Sequence, residues 1–238
     1  MRYRILTAAL RWLAVALVLR VLVEILANYP DYFPPNFDSL FLQGRETTFT
    51  GAYRIAFYVH IFSGPIVLLN GLILLSDYVR RRYRGLHRVL GRVQVIVLLF
   101  FVLPTSAVMS RHAFGGWLAG LSFLLLSAAT AGCAIVGVVF ARRRRFDRHR
   151  RWMLRSYILI CSAVALRLIS GAAGLVGVPS PEEAYVVAAW CSWLVPLAAF
   201  EIMERLPAQG QSRRPDSVLR SARDIDRSVV ASREPSCP

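Results

Sequence analysis

The sequence predicts an all-α integral membrane protein built as a six-helix transmembrane bundle. Three observations carry this: six long apolar runs, connections too short to fold as soluble domains, and a one-sided distribution of arginine. The runs fall at 5–27, 53–76, 92–110, 117–140, 157–176 and 184–203. Each is close to the ~20 residues that cross a hydrocarbon core ~30 Å thick at 1.5 Å per residue. Backbone amides cannot stay unpaired in lipid, so such runs must be helices. A water-soluble bundle would need polar stripes at helical spacing, and 92–110 and 117–140 have none.

The first run has the basic start of a signal peptide, Arg2 and Arg4. It is long for one, contains Arg11, Arg20 and Glu24, and is followed by Asn28-Tyr29-Pro30 rather than small residues. An uncleaved first span is expected. A 25-residue stretch, 28–52, separates it from the second run. The aromatics Tyr29, Tyr32, Phe33, Phe37 and Phe41 suit a segment resting at the lipid interface.

All 29 basic residues are arginine. The N-terminus holds two, 77–92 six, 141–155 eight and the C-terminal tail seven, against only Arg45 and Arg111 in the other connections. Basic loops stay in the cytoplasm, so both termini are expected there, in the inner membrane of a bacterium. The net charge of +15 is therefore a topology signal. No nucleic-acid module accompanies it, and nucleic acid is not an expected partner. Arg88, Arg142, Arg143, Arg144, Arg145 and Arg150 are placed to meet anionic lipid headgroups.

Residues 1–203 form the expected transmembrane domain, and 204–238 an Arg-, Ser- and Pro-rich tail expected to be mostly disordered, with a short helix after Pro215. Arg80-Arg81-Arg82 leads to His87-Arg88, and Arg142-Arg143-Arg144 leads to His149-Arg150, with seven residues from first Arg to His in both. The repeat points to duplicated helical hairpins. Cys133, Cys161 and Cys191 lie within runs and form no paired spacing.

Charges inside the apolar runs need a partner or a role, because each costs at least ~2.5–3.5 kcal/mol at mid-bilayer. Arg167 lies deepest, about 14 Å from the outer end of its run by helical rise. Ser170, Gly171 and Gly174 share its face, which predicts close packing by another helix. In the second run His60 is followed by Ser63, Gly64, Asn70 and Gly71. Pro65 cannot donate to the Ile61 carbonyl and leaves an open acceptor nearby. Arg20 and Glu24 form an i,i+4 pair in the first run. Arg20, Glu24, His60, Asn70 and Arg167 are thus the candidate intramembrane polar site, read either as a site for a proton, ligand or cofactor or as an interhelical network that fixes packing alone. Glu24 is the expected counter-charge of Arg167, with His60 and the freed Ile61 carbonyl the alternatives.

His60, His87 and His149 are the candidate haem or metal ligands, since neutral imidazole ligates haem iron and other metals. No HExxH motif, second histidine within one run or carboxylate pair accompanies them. The residues lean away from an enzyme.

His60…Gly64, then Leu86-His87-Arg88-x-x-Gly91-Arg92, then His149-Arg150-x-Trp152-Met153-x-Arg155-Ser156-Tyr157, then Arg167, resembles a bacterial membrane family known as domain of unknown function 2306. The resemblance covers roughly 50–205 and implies membrane location. It brings no activity with it, though the architecture is similar to that of b-type cytochromes with haem between helices. Three roles stay open: a polar site for a proton, an anionic ligand or a cofactor; a haem b or metal redox protein; and a scaffold or subunit pairing with another membrane protein or with itself.

Overall fold

A computed structural model describes residues 2–39, 41–177 and 179–205. The tail, with the helix expected after Pro215, lies outside the described residues. The chain divides into two compact units, Met1–Phe200 and Glu201–Pro238. Of the second, only the end of a helix is described.

Among the described residues nine α-helices follow one another: α1 (Arg2–Ala27), α2 (Gly51–Leu74), α3 (Asp77–Arg82), α4 (Arg84–Val97), α5 (Leu103–Ser110), α6 (Gly116–Arg142), α7 (Phe146–Ile160), α8 (Ser162–Val176) and α9 (Pro181–Arg205). A π-helical turn, Leu98–Val102, joins α4 to α5, and the single residue Cys161 separates α7 from α8. These pieces make six helical segments long and apolar enough to cross a membrane: Trp12–Asp31, Gly51–Leu74, Arg84–Ser110, Gly116–Arg142, Phe146–Val176 and Pro181–Arg205. No strand occurs among the described residues. The outward faces are apolar, with Ile55, Phe62, Ile66, Phe100, Leu124 and Val195 exposed.

The six expected spans are present, but two begin earlier. The segments 77–92 and 141–155, expected as loops, are largely helical. α4 and α7 start with amphipathic turns whose arginines lower the local hydropathy without interrupting the helix. Ser76 caps α3 by accepting from the Val79 amide, with Asp77 in its first turn and Arg80–Arg82 in its last, as the helix dipole favours. His87 and His149 each stand fourth in their helix.

One end of the bundle carries the loop 28–50 and the turn 111–115; the opposite end carries α3 and the arginine-rich turn between α6 and α7. These are called the loop end and the basic end. α2 is central and packs against α1, α4, α5 and α7. Val18, Val21 and Leu22 of α1 meet Leu68 of α2 and Val164 of α8 in one core. Val67, Leu98 and Ala134 form another at mid-height.

The loop 28–50 departs in part from expectation. Tyr32, with Leu42 and Phe49, is buried against Tyr53 and Phe57 of α2, whereas Phe33 and Phe41 stay exposed as an interfacial segment requires. The rings meet edge-to-face, Phe49 with Phe57 and Tyr32 with Phe57 both at 5.2 Å between centroids. Such contacts fix a loop that has no periodic pattern of its own. The small face of α8 is a second departure. A Cβ at Gly171 or Gly174 would meet nothing within 4 Å, so among the described residues no helix packs closely there.

Candidate functional site

Beneath the loop 28–50 the bundle holds a partly open cavity of about 480 Å³. Its wall on α2 is one broad face, Tyr53, Phe57, His60, Gly64 and Val67 with Ile61, Pro65 and Leu68 alongside, spaced by three or four residues as one helix face requires. Arg45 and Tyr32 reach it from the loop, Ser106 from α5, Arg167 from α8 and Tyr185 from α9.

Arg167 is partly buried. Its Nη1 donates to the Ala163 carbonyl one turn back in its own helix at 2.9 Å, and its guanidinium lies 5.4 Å from the centroid of the Phe41 ring. Glu24, Tyr32 and Tyr185 border the same cavity. None of the described carboxylates stands within ion-pair distance of Arg167. Glu24 pairs with Arg20 at 3.0 Å. Both side chains of that pair are well exposed, 71% for Arg20 and 50% for Glu24. Glu24 still borders the cavity, whereas Arg20 points away from it. The local i,i+4 geometry claims the carboxylate before the distant arginine can.

Arg45 is the second cation of the cavity. Its Nη1 donates to the Tyr53 hydroxyl at 2.8 Å and to the His112 carbonyl at 2.7 Å, tying the loop 28–50 to α2 and the turn after α5. Tyr185 lies close enough to both arginines to feel each charge. Tyr32 completes the group. Burial pushes its phenol up, the positive charge of Arg167 opposing that, so the hydroxyl stays a neutral donor at physiological pH.

His60 presents Nδ1 to the Thr105 hydroxyl at 3.1 Å, with the Ser106 hydroxyl at 3.4 Å. Thr105 donates its own hydrogen to the Phe101 carbonyl at 2.6 Å, so Nδ1 of His60 carries the donor hydrogen. These acceptors sit beside the π turn, a distortion frequent at functional sites.

Asn70 does not join this group. Ten residues from His60 turn it about 80° around the helix, toward α4. There it donates to the Leu90 carbonyl and to Gln94 Oε1, both at 3.0 Å, while Gln94 donates to the Val67 carbonyl at 3.0 Å. His87 and His149 lie together near the basic end, within electrostatic reach of each other. His149 Nδ1 donates to the Gly137 carbonyl at 2.8 Å, which leaves Nε2 as its lone-pair nitrogen. His87 Nδ1 is buried without a hydrogen-bond partner. His87 precedes Thr105, the neighbour of His60, by about 27 Å of helical rise. His60 and His87 are therefore too far apart to share a metal ion. Among the described residues no three of His, Cys, Asp and Glu converge. Arg88, Arg142–Arg145 and Arg150 are exposed at the basic end.

Arg45, Tyr32, Tyr53, Phe41 and Tyr185 were not singled out as site residues from sequence. Four belong to the loop or the first turn of α2, where neither depth nor periodicity marks them. Tyr185 opens α9 and reads as an ordinary interfacial tyrosine.

The fold and its internal cavity define a multi-pass α-helical membrane protein with a polar site under a loop. The family model DUF2306, described as a predicted membrane protein, matches residues 57–203, and the chain belongs to that family. The match takes in His60, Ser106, Arg167 and Tyr185 and begins after the loop that supplies Tyr32 and Arg45. Neither a curated protein nor a solved structure matches.

Proposed function

We propose that this protein binds an anionic ligand in the cavity beneath the loop 28–50. The observation that supports it is Arg167: a guanidinium at the cavity wall, held by its own helix, with no described carboxylate in ion-pair range. A buried cation without a counter-charge is costly, and an anion entering the cavity supplies one. Arg45 and the phenols of Tyr32 and Tyr185 add positive potential and donors on the same side, while the Nδ1 hydrogen of His60, deeper in, is engaged by Thr105.

The site lies in the outer leaflet half of a bacterial cytoplasmic membrane, with both termini in the cytoplasm. The arginine asymmetry supports this orientation. A reporter fused after Pro238 that is active only in the periplasm overturns it. The exposed arginines at the basic end then face the anionic lipid headgroups of the inner leaflet.

Thermal unfolding of the purified protein with benzoate, and separately with neutral benzamide, tests the binding reading. Benzoate raises Tm and benzamide does not; a ligand at 100 times its Kd stabilises by about 2.7 kcal/mol. Arg167→Gln abolishes the benzoate shift. Equal shifts from both compounds defeat the reading.

A further inference from the structure

Resting on that anion-binding reading, we infer that the ligand is a single-tailed amphiphilic acid, its carboxylate at Arg167 and its apolar tail running toward the bilayer midplane. The cavity has the required length. Its wall on α2 extends from Tyr53 to Leu68, about 22 Å of helical rise. That length accommodates an extended alkyl chain, and 480 Å³ lies within the range of cavities that take one small ligand.

The polarity of the lining changes along this axis. Arg45, Tyr53 and Tyr185 stand at the loop end, and Arg167 just beneath them. Leu98, Leu126 and Leu159 line the deep end. Of the four hydroxyls at that depth, Ser127, Thr130, Ser162 and Ser192, two are engaged within their own helices. Thr130 donates to the Leu126 carbonyl at 2.7 Å and Ser192 to the Ala189 carbonyl at 3.0 Å, so each hydrogen is spent within its own helix. A small hydrophilic anion satisfies the upper end alone and leaves the apolar length unfilled. A neutral lipid satisfies the lower end alone and leaves Arg167 uncompensated. An acid with one long tail satisfies both.

Gly64 supplies the control. It lines the cavity midway, and a Cβ built there meets nothing within 4 Å. A leucine at this position fits in the open slot and obstructs the tail path while leaving Arg167 untouched.

The test measures affinities of the full-length protein, in nanodiscs, for hexanoate, dodecanoate, hexadecanoate and 1-hexadecanol. On the wild type, affinity rises with chain length, by as much as about fourfold per added methylene before partition into the bilayer is subtracted. Hexadecanoate binds at least tenfold tighter than 1-hexadecanol. Gly64→Leu flattens the length dependence and spares hexanoate; Arg167→Gln removes the preference for acid over alcohol. Acid binding that is independent of length, or a length dependence that survives Gly64→Leu, overturns the amphiphile and leaves the anion reading standing. An acid that binds no better than the alcohol on the wild type removes both. That last comparison needs no variant, so it holds even if Arg167→Gln fails to fold.

Discussion

The Tyr29 hydroxyl donates to the Ile61 carbonyl, the acceptor that Pro65 leaves without its helical N–H. The proline and the tyrosine are therefore two halves of one device. At Pro65, α2 receives from the end of the first span the hydrogen bond its own backbone cannot make. The open acceptor read from sequence beside His60 is thus already engaged, and by a phenol rather than by Arg167.

Tyr29→Phe orphans that carbonyl and lowers stability by about 1 kcal/mol, between the average for side-chain bonds in lipid and the larger cost of a buried unsatisfied group. Restoring an N–H with Pro65→Ala makes the same Tyr29→Phe change nearly silent. Thermal unfolding of the four proteins in one detergent gives the cycle. Equal Tyr29→Phe effects in both backgrounds refute the coupling.

Gly120 and Gly171 predict opposite outcomes for the same substitution. A Cβ at Gly120 comes within 2.3 Å of the Ser110 backbone carbonyl oxygen, whereas at Gly171 it meets nothing within 4 Å. Gly120→Ala forces α5 and α6 apart and costs about 1–3 kcal/mol. Gly171→Ala is neutral or stabilises by up to about 1 kcal/mol through helix propensity. A destabilising Gly171→Ala means that another molecule packs on that face.

Ser122 links α6 to α9 from both sides. The Trp193 indole donates to its hydroxyl at 3.0 Å, and the hydroxyl donates to the Ala189 carbonyl at 3.0 Å. Ser122→Ala strands the indole N–H and lowers stability by about 1 kcal/mol. In a Trp193→Phe background the loss shrinks, which a double-mutant cycle by thermal unfolding reads directly. Additive effects contradict the pairing.

Asp77 gives α3 an acid sensitivity. Its carboxylate accepts from Arg80 Nη2 at 2.7 Å, and this bond, aided by the charges of Arg80, Arg150 and Arg81, holds its carboxyl below the ordinary range. A depressed folded value means the contribution is full above the unfolded pKa of about 3.9 and is lost as pH falls through the lower folded one. Hydrogen-exchange protection of the α3 amides, corrected for intrinsic rates, falls over that acid window in the wild type. Asp77→Asn shows weaker protection at neutral pH and no such step. Identical profiles for the two proteins disprove the linkage.

Much of the fold was legible because lipid imposes a simple rule: a long apolar run has one viable backbone. The starts of α4 and α7 escaped it because their arginines break hydropathy and not helicity. The candidate site was legible only where depth marks a residue as costly, as with His60 and Arg167. Arg20 and Asn70 show why the rest was not. One is settled by a neighbour four residues away, the other by an 80° rotation that a judgement of shared face overlooks. Arg45 and Tyr32 are brought in by a loop whose folding depends on ring-on-ring contacts with no sequence period.

Pro65 of α2, the π turn Leu98–Val102 and the break at Cys161 gather at one level, where Leu98 packs with Val67 and Ile160. An unbroken helix is a lever that carries a tilt from one face of the membrane to the other. These three segments are jointed at mid-height instead, each joint having a local cause in proline, an extra residue per turn or an interrupted ladder. A tilt imposed under the loop 28–50 therefore meets three interrupted ladders before it reaches His87, His149 and the arginines around them.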